Sequence, residues 1–446
     1  LECDSPLACQ SFNASMTLIE DLGKEIRPVK RLFGWLLTDR LLSENCHDPV
    51  LLAAALSESS GKPVIMGLSG RGSNMDRIKG MLADAKAKGL RNFLAVTGNL
   101  TDLQQEQENL RSPFTDSVEI LQAAHTFGKD IRIGATVNPF KYTPQDQCLQ
   151  YAKMLRKIHT GAQFLITQAG WDMKKAQELQ WFLQKLNLTL LVIARVCVLS
   201  QEETLRLADG FQTGVILPVP MGSRFQQDAR KSAEEYQQMQ LLRAAWQITG
   251  YRKLGYGAVL ISGIRNAKTL ETLFEQIDQI EEQCPDYDSW LELWNEQYGD
   301  FNLTPTLDPH YLYWDLLQKG RRDFDPEEYP VKGSPLPAPS LPDRCKYLLG
   351  RLLDDPGKKA WPWRTLRYIT RLPEEKLAHL APCFYLNNAQ CPKGLRWGPC
   401  GSSQSDGTCE NGKQPCFFHR VLHLAAQSNN YQVLETACWK RPPTHD

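Results

Sequence analysis

Four cysteines, Cys391, Cys400, Cys409 and Cys416, stand between residues 391 and 416 in the segment CPKGLRWGPCGSSQSDGTCENGKQPC. The glycines and prolines around them prevent a long helix or strand and let the backbone turn side chains inward. Four converging thiolates would hold a zinc ion or an iron–sulfur cluster, and Cys383 is a fifth candidate. No CxxC pair is present, so neither a zinc ribbon nor a ferredoxin run fits. Disulfides, or buried thiols with no metal, are the competing readings. The other eight cysteines (Cys3, Cys9, Cys46, Cys148, Cys197, Cys284, Cys345 and Cys438) are thinly scattered, as in a reducing compartment. That favours metal over disulfides in the cluster, and a cytoplasmic location.

A second set of chemistry-bearing residues ends a series of short apolar runs. It comprises Glu2, Thr38 and Asp39, Ser69 and Arg71, Thr97, Gly98 and Asn99, Thr136 and Asn138, and Thr167 and Gln168. Most are uncharged donors and acceptors, the lining expected around a planar heteroaromatic ligand. Glu2 would serve as a general acid if burial raises its pKa; otherwise it is an exposed residue at a chain end. Arg156 and Lys157, read alone, belong to a solvated helix face. No Ser-His-Asp set, HExxH or Walker loop occurs.

The elements that must position these residues are eight runs, at 1–5, 31–39, 63–69, 92–99, 131–138, 162–168, 188–196 and 256–263. Their continuous apolar character is that of strands buried on both faces, and amphipathic helical patterns separate them. Thr143 and Pro144 form a helix start. The count and length match a (β/α)8 TIM barrel of the α/β class. A doubly wound sheet fits less well, because no GxGxxG follows the first strand. The run at 213–220 reads as a loop-strand insertion between the seventh and eighth strands. The barrel spans 1–284, an aromatic and proline-rich connector 285–342, and a small cysteine-rich domain 343–446. Lys+Arg and Asp+Glu balance at 51 each, so no basic excess points to nucleic acid. No apolar run is long enough to span a membrane, and the basic start and apolar run of a signal peptide are missing.

In order and spacing, LECDSP, LSGRGSN (68–74), LAVTGN (94–99), IGATVNP (133–139) and KIHTGAQFLITQ (157–168) resemble the methylenetetrahydrofolate reductases, which are flavin-bearing (β/α)8 barrels. The segments CPKGLRWGPCGS, DGTCE and PCFF resemble the cysteine-rich domain that accompanies the acetogen type of these reductases. The resemblance implies flavin-dependent reduction of 5,10-methylenetetrahydrofolate to 5-methyltetrahydrofolate. Glu2 would then be the acid and Asn99 would occupy the second catalytic position. Thr38, Thr97, Gly98, Ala135, Arg156 and Lys157 would contact FAD or FMN, and Gln168 the pterin of the tetrahydrofolate substrate. Cys391, Cys400, Cys409 and Cys416 would hold the iron–sulfur cluster or zinc. An electron-donor or methyltransferase protein is the implied partner, with homo-oligomerisation left open. The sequence departs from the family where Asn99 replaces an acidic residue, Gly67 a histidine or glutamine, and Ala194-Arg195 a proline-glycine pair. These departures imply an alternative, a degenerate paralogue that acts as a folate-binding or methyl-transfer subunit of a one-carbon complex.

Overall fold

The structure is a computed structural model that describes residues 1–40, 45–100, 113–208, 214–217, 219–298, 339–355, 357, 360–412 and 414–438. Each apolar run contains a strand: β1 (Glu2–Cys3), β2 (Trp35–Leu37), β3 (Val64–Ser69), β4 (Asn92–Val96), β5 (Arg132–Val137), β6 (Phe164–Thr167), β7 (Leu191–Cys197) and β8 (Ala258–Ser262). They pair in parallel in sequence order, with Leu36 opposite Ile65, Leu94 opposite Gly134 and Leu165 opposite Val192. With helices between successive strands, this is a (β/α)8 barrel. At the seam, the Ser262 hydroxyl on β8 donates to the Glu2 carboxylate on β1.

Side chains fill the barrel interior. Leu36, Leu94, Phe164, Ile166, Ile193 and Leu260 form one buried cluster. The Phe164 ring occupies the space at β5, where a Cβ on Gly134 would lie 2.2 Å from it. The helix Pro144–His159 begins as its sequence requires: Thr143 accepts at Oγ1 from the Asp146 amide, and proline fills the first turn, where its missing N–H is not needed. Between β7 and β8 the expected loop-strand insertion is replaced by helices. Residues 214–217 carry no strand, and helices run Gln201–Ala208, Val219–Asp228 and Ala233–Lys253.

Most of the expected connector lies outside the described residues. Its first part is the helix Tyr287–Tyr298, docked on the barrel through Trp290, whose indole N–H donates to the Trp246 carbonyl at 3.2 Å. The C-terminal part holds the helices Leu341–Leu353, Trp361–Ile369, Glu374–Leu380, Phe417–Ser428 and Gln432–Glu435 around a glycine-rich, mostly irregular segment. No disulfide joins any of the thirteen cysteines. Among the described residues no helix is long and apolar enough to cross a membrane.

Because Phe164 already fills the barrel at β5, Gly134→Ala is expected to destabilise the fold by about 1–3 kcal/mol through overpacking. Thermal unfolding checks this; an unchanged midpoint would mean that Phe164 moves freely.

Candidate functional site

One cavity of about 140 Å³ opens at the C-terminal ends of the strands. Its floor is the top of the barrel core (Leu36, Leu94, Ile166, Leu260), and its walls carry the polar strand tips. Glu2, Thr38, Thr97, Gly98, Asn99, Lys157 and Gln168, all singled out from the sequence, line this one space. So do Asp39 and Arg195, together with Cys400, Gly401 and Ser402 from the C-terminal domain.

Arg195 is the hub of the floor on the β7 side. Its Nε donates to Glu2 Oε2 at 2.8 Å and to Ser262 Oγ at 3.2 Å, and its Nη1 donates to Gln168 Oε1 at 3.1 Å. One guanidinium thus ties β1, β6, β7 and β8. Burial opposes its charge, but Glu2, Cys197 and Asp4 together outweigh burial and hold Arg195 above its ordinary pKa. Arg195 and Glu2 form a salt bridge across the barrel seam. The carboxyl pushed toward its neutral form is Asp4, by burial first and then by the charge of Glu2. Across the cavity the fully buried Asp39 receives two guanidinium N–H groups of Arg77, at 3.1 and 3.2 Å, and the Ser69 amide at 2.9 Å.

The β4 turn is held by the C-terminal domain. Gly98 has φ +86°, and a Cβ there would lie 2.7 Å from that of Arg71, so only glycine fits. Its carbonyl accepts from Lys393 Nζ at 2.7 Å, and the Leu100 amide donates to Glu410 Oε1 at 2.6 Å. Lys393 and Glu410 are themselves a buried ion pair. Burial lowers the lysine, but Cys400 and Glu410 outweigh it and hold the ammonium above its usual range. Ser402 Oγ donates to Asn99 Oδ1 at 2.9 Å, and Asn138 Nδ2 donates to the Gly401 carbonyl at 2.9 Å. The Cys400–Ser402 loop thereby roofs the cavity.

Other expected site residues lie elsewhere. Ala135 is wholly buried between β4 and β6 in the core. Arg156 leaves the cavity: its guanidinium donates to the carbonyls of Val433 and Thr436 and lies 5.3 Å over the Trp397 ring. Burial lowers it to about 10. Lys157 does face the cavity, with Nζ 2.6 Å from the Thr136 carbonyl. Burial first, and then neighbouring Lys153, brings it down to about 7. Thr97 is bonded to Ser117, and Thr38 to Asp4 and the Ser5 amide.

These placements bear on the implied cofactors. Arg156 and the Gly98 carbonyl, two expected flavin contacts, are bound by the chain's own C-terminal domain. Cys391, Cys400, Cys409 and Cys416 lie close enough for their charges to act on one another. Among the described residues no three or more of His, Cys, Asp and Glu converge closely enough to hold a metal ion. Burial first, then Cys400, pushes Cys391 up to about 11 and Cys409 up to about 12; burial and Asp146 raise Cys416 further.

Sequence reasoning noted Arg195 only as a departure and missed it as the hub. Its signal was a cation at an inward position of an apolar strand, which demands a buried anion. It also missed that the CPKGLRWGPCGS motif packs on the β4 turn, because no local pattern reports a contact across some 300 positions (|i−j| = 295 for Lys393 and Gly98).

A parallel eight-stranded barrel with a polar cavity at its C-terminal mouth, roofed by a cysteine-rich domain, defines the class. The family model described as methylenetetrahydrofolate reductase matches residues 29–246, and that described as methylene-tetrahydrofolate reductase C terminal matches residues 382–442. The chain carries both domains of the methylenetetrahydrofolate reductase family in one polypeptide. No curated protein sequence matches it. Among solved structures it is similar to an uncharacterized protein from Clostridium thermocellum that binds two copies of 5-methyl-5,6,7,8-tetrahydrofolic acid. That alignment has TM-score 0.47 and 12% identity over 63% of this chain and 93% of the other. A putative lyase/mutase from Burkholderia cenocepacia J2315 aligns with TM-score 0.31 and 12% identity over 69% and 87%. Both scores are low, and the site stands on its own residues.

Glu410→Ala leaves Lys393 buried without its anion and the Leu100 amide without its acceptor, which is expected to cost about 3–5 kcal/mol. Limited proteolysis checks this: the variant should release the C-terminal domain much faster than wild type, and equal rates would contradict the clamp.

Proposed function

We propose that the chain is a folate-holding subunit of a one-carbon complex, with the pterin end of a tetrahydrofolate seated in the roofed cavity. The observation that carries this reading is the meeting of Glu2, Arg195, Gln168 and Asn99 around one space with an apolar floor. A pterin is flat and has an edge of alternating donors and acceptors. Leu36, Leu94 and Leu260 offer contact to a ring face, while amide, guanidinium and carboxylate groups match an edge. Glu2 is already engaged by Arg195 and Ser262, and orients and accepts rather than standing free to donate. Asn99 lacks the negative charge that would stabilise a cationic iminium on the folate. Both features support holding over turnover. Ser402 and Gly401 exclude water from above, and a protein partner supplies the redox or methyl-transfer chemistry.

The second reading, a flavin-dependent methylenetetrahydrofolate reductase, is favoured by Glu2, Gln168 and Lys157 facing the same space. It requires the Cys400–Ser402 loop to leave the mouth and Glu2 to exchange Arg195 for a folate nitrogen.

Calorimetric titration of the full chain with 5-methyltetrahydrofolate is expected to show one bound ligand, strongly weakened in Arg195→Met. Binding should weaken as the pH rises through about 7, because Lys157 is an ammonium donor below that value and neutral above it. Lys157→Met should remove the slope. Absence of folate binding, together with co-purifying flavin that methylenetetrahydrofolate reoxidises, would establish the second reading instead.

A further inference from the structure

The helix Leu341–Leu353 presents apolar residues on two faces. Tyr347 and Gly350 face inward, Tyr347 against Phe384 at 5.6 Å between ring centroids and Gly350 against the Tyr385 ring. On the other side Leu341 is 74% exposed, Leu348 61% and Leu352 42%, and Cys345 is exposed between them. Residues 341, 345, 348 and 352 are spaced four, three and four apart, which is the a/d seam of a two-heptad coiled coil. In that register the g positions are Arg344 and Arg351, both exposed. The next helix, Trp361–Ile369, is tied to the first by Arg367, which donates to the Leu353 carbonyl at 2.9 and 2.6 Å. It exposes Trp361 at 77% and Tyr368 at 86%, with Arg364 between them.

We infer that the Leu341–Leu353 seam docks an amphipathic helix of a different protein, one with leucine-like residues on its apolar stripe and glutamate or aspartate opposite Arg344 and Arg351. The arginines select the occupant. A second copy paired antiparallel would set arginine against arginine. Paired in parallel, it would set them against the e positions, Pro342 and Leu349, which carry no charge. An acidic helix instead satisfies both cations and buries the leucines. The surface lies outside the folate cavity, so its occupancy is independent of that reading.

The test uses the full chain and two fluorescent synthetic helical peptides with leucine at a and d. One carries glutamate, the other lysine, at e and g. Fluorescence anisotropy is expected to show the glutamate peptide binding at least about tenfold tighter, Leu348→Asp abolishing that binding, and Arg344→Glu with Arg351→Glu reversing the preference. Equal affinity for the two peptides, undiminished binding by Leu348→Asp, or a homodimer in light scattering that Leu348→Asp dissolves would each overturn the inference.

Discussion

The architecture of the site depends on one buried ion pair and the two backbone groups it serves. Lys393 and Glu410 both belong to the C-terminal domain, yet their free hydrogen-bonding capacity is spent on the β4 turn: the Gly98 carbonyl on the ammonium, the Leu100 amide on the carboxylate. Taking two charges out of water is costly, and mutual attraction repays it only when the remaining lone pairs and protons are also satisfied. The turn provides that satisfaction, so the pair and the turn are stable together. The consequence is positional. With β4 clamped, the Cys400–Ser402 loop falls over the barrel mouth, where Asn99 and Asn138 bind it.

A similar electrostatic economy governs the floor. Arg195 enters from β7 into an otherwise apolar barrel top and is neutralised by Glu2 from β1 while it also binds Gln168 from β6. The contact spans the seam between β1 and β8, where Ser262 joins the same carboxylate. Closure of the barrel and polarity of the cavity are thus the work of one cluster. Beside the cluster, burial and the neighbouring Glu2 bias Asp4 toward its protonated form.

The eight strands were readable in the sequence because each is a short continuous apolar run, and the barrel followed from their number and alternation with helices. Expected strand-tip residues, Glu2, Thr38, Thr97, Asn99 and Gln168 among them, share the cavity because polar tips of parallel strands must lie on one side of a barrel. What a local pattern could not reveal was which cations are spent on the chain itself. Arg156 looked like a helix-face residue or a flavin contact; it is consumed by the carbonyls of Val433 and Thr436, which only the docked C-terminal domain brings near. In the cysteine-rich segment, Gly398 and Gly401, both at positive φ, turn their carbonyls toward Lys153 and Asn138, contacts that no local pattern announces.

The central claim is that the C-terminal domain is an integral roof of the cavity, held at the β4 turn. Hydrogen–deuterium exchange on the full chain tests it most directly. The Leu100 amide, bonded to Glu410, and the segment 400–410 should be protected to a similar degree and should lose protection together when the pair is broken. Fast exchange at Leu100 in the intact protein, or protection of the turn that is indifferent to Glu410, would contradict it.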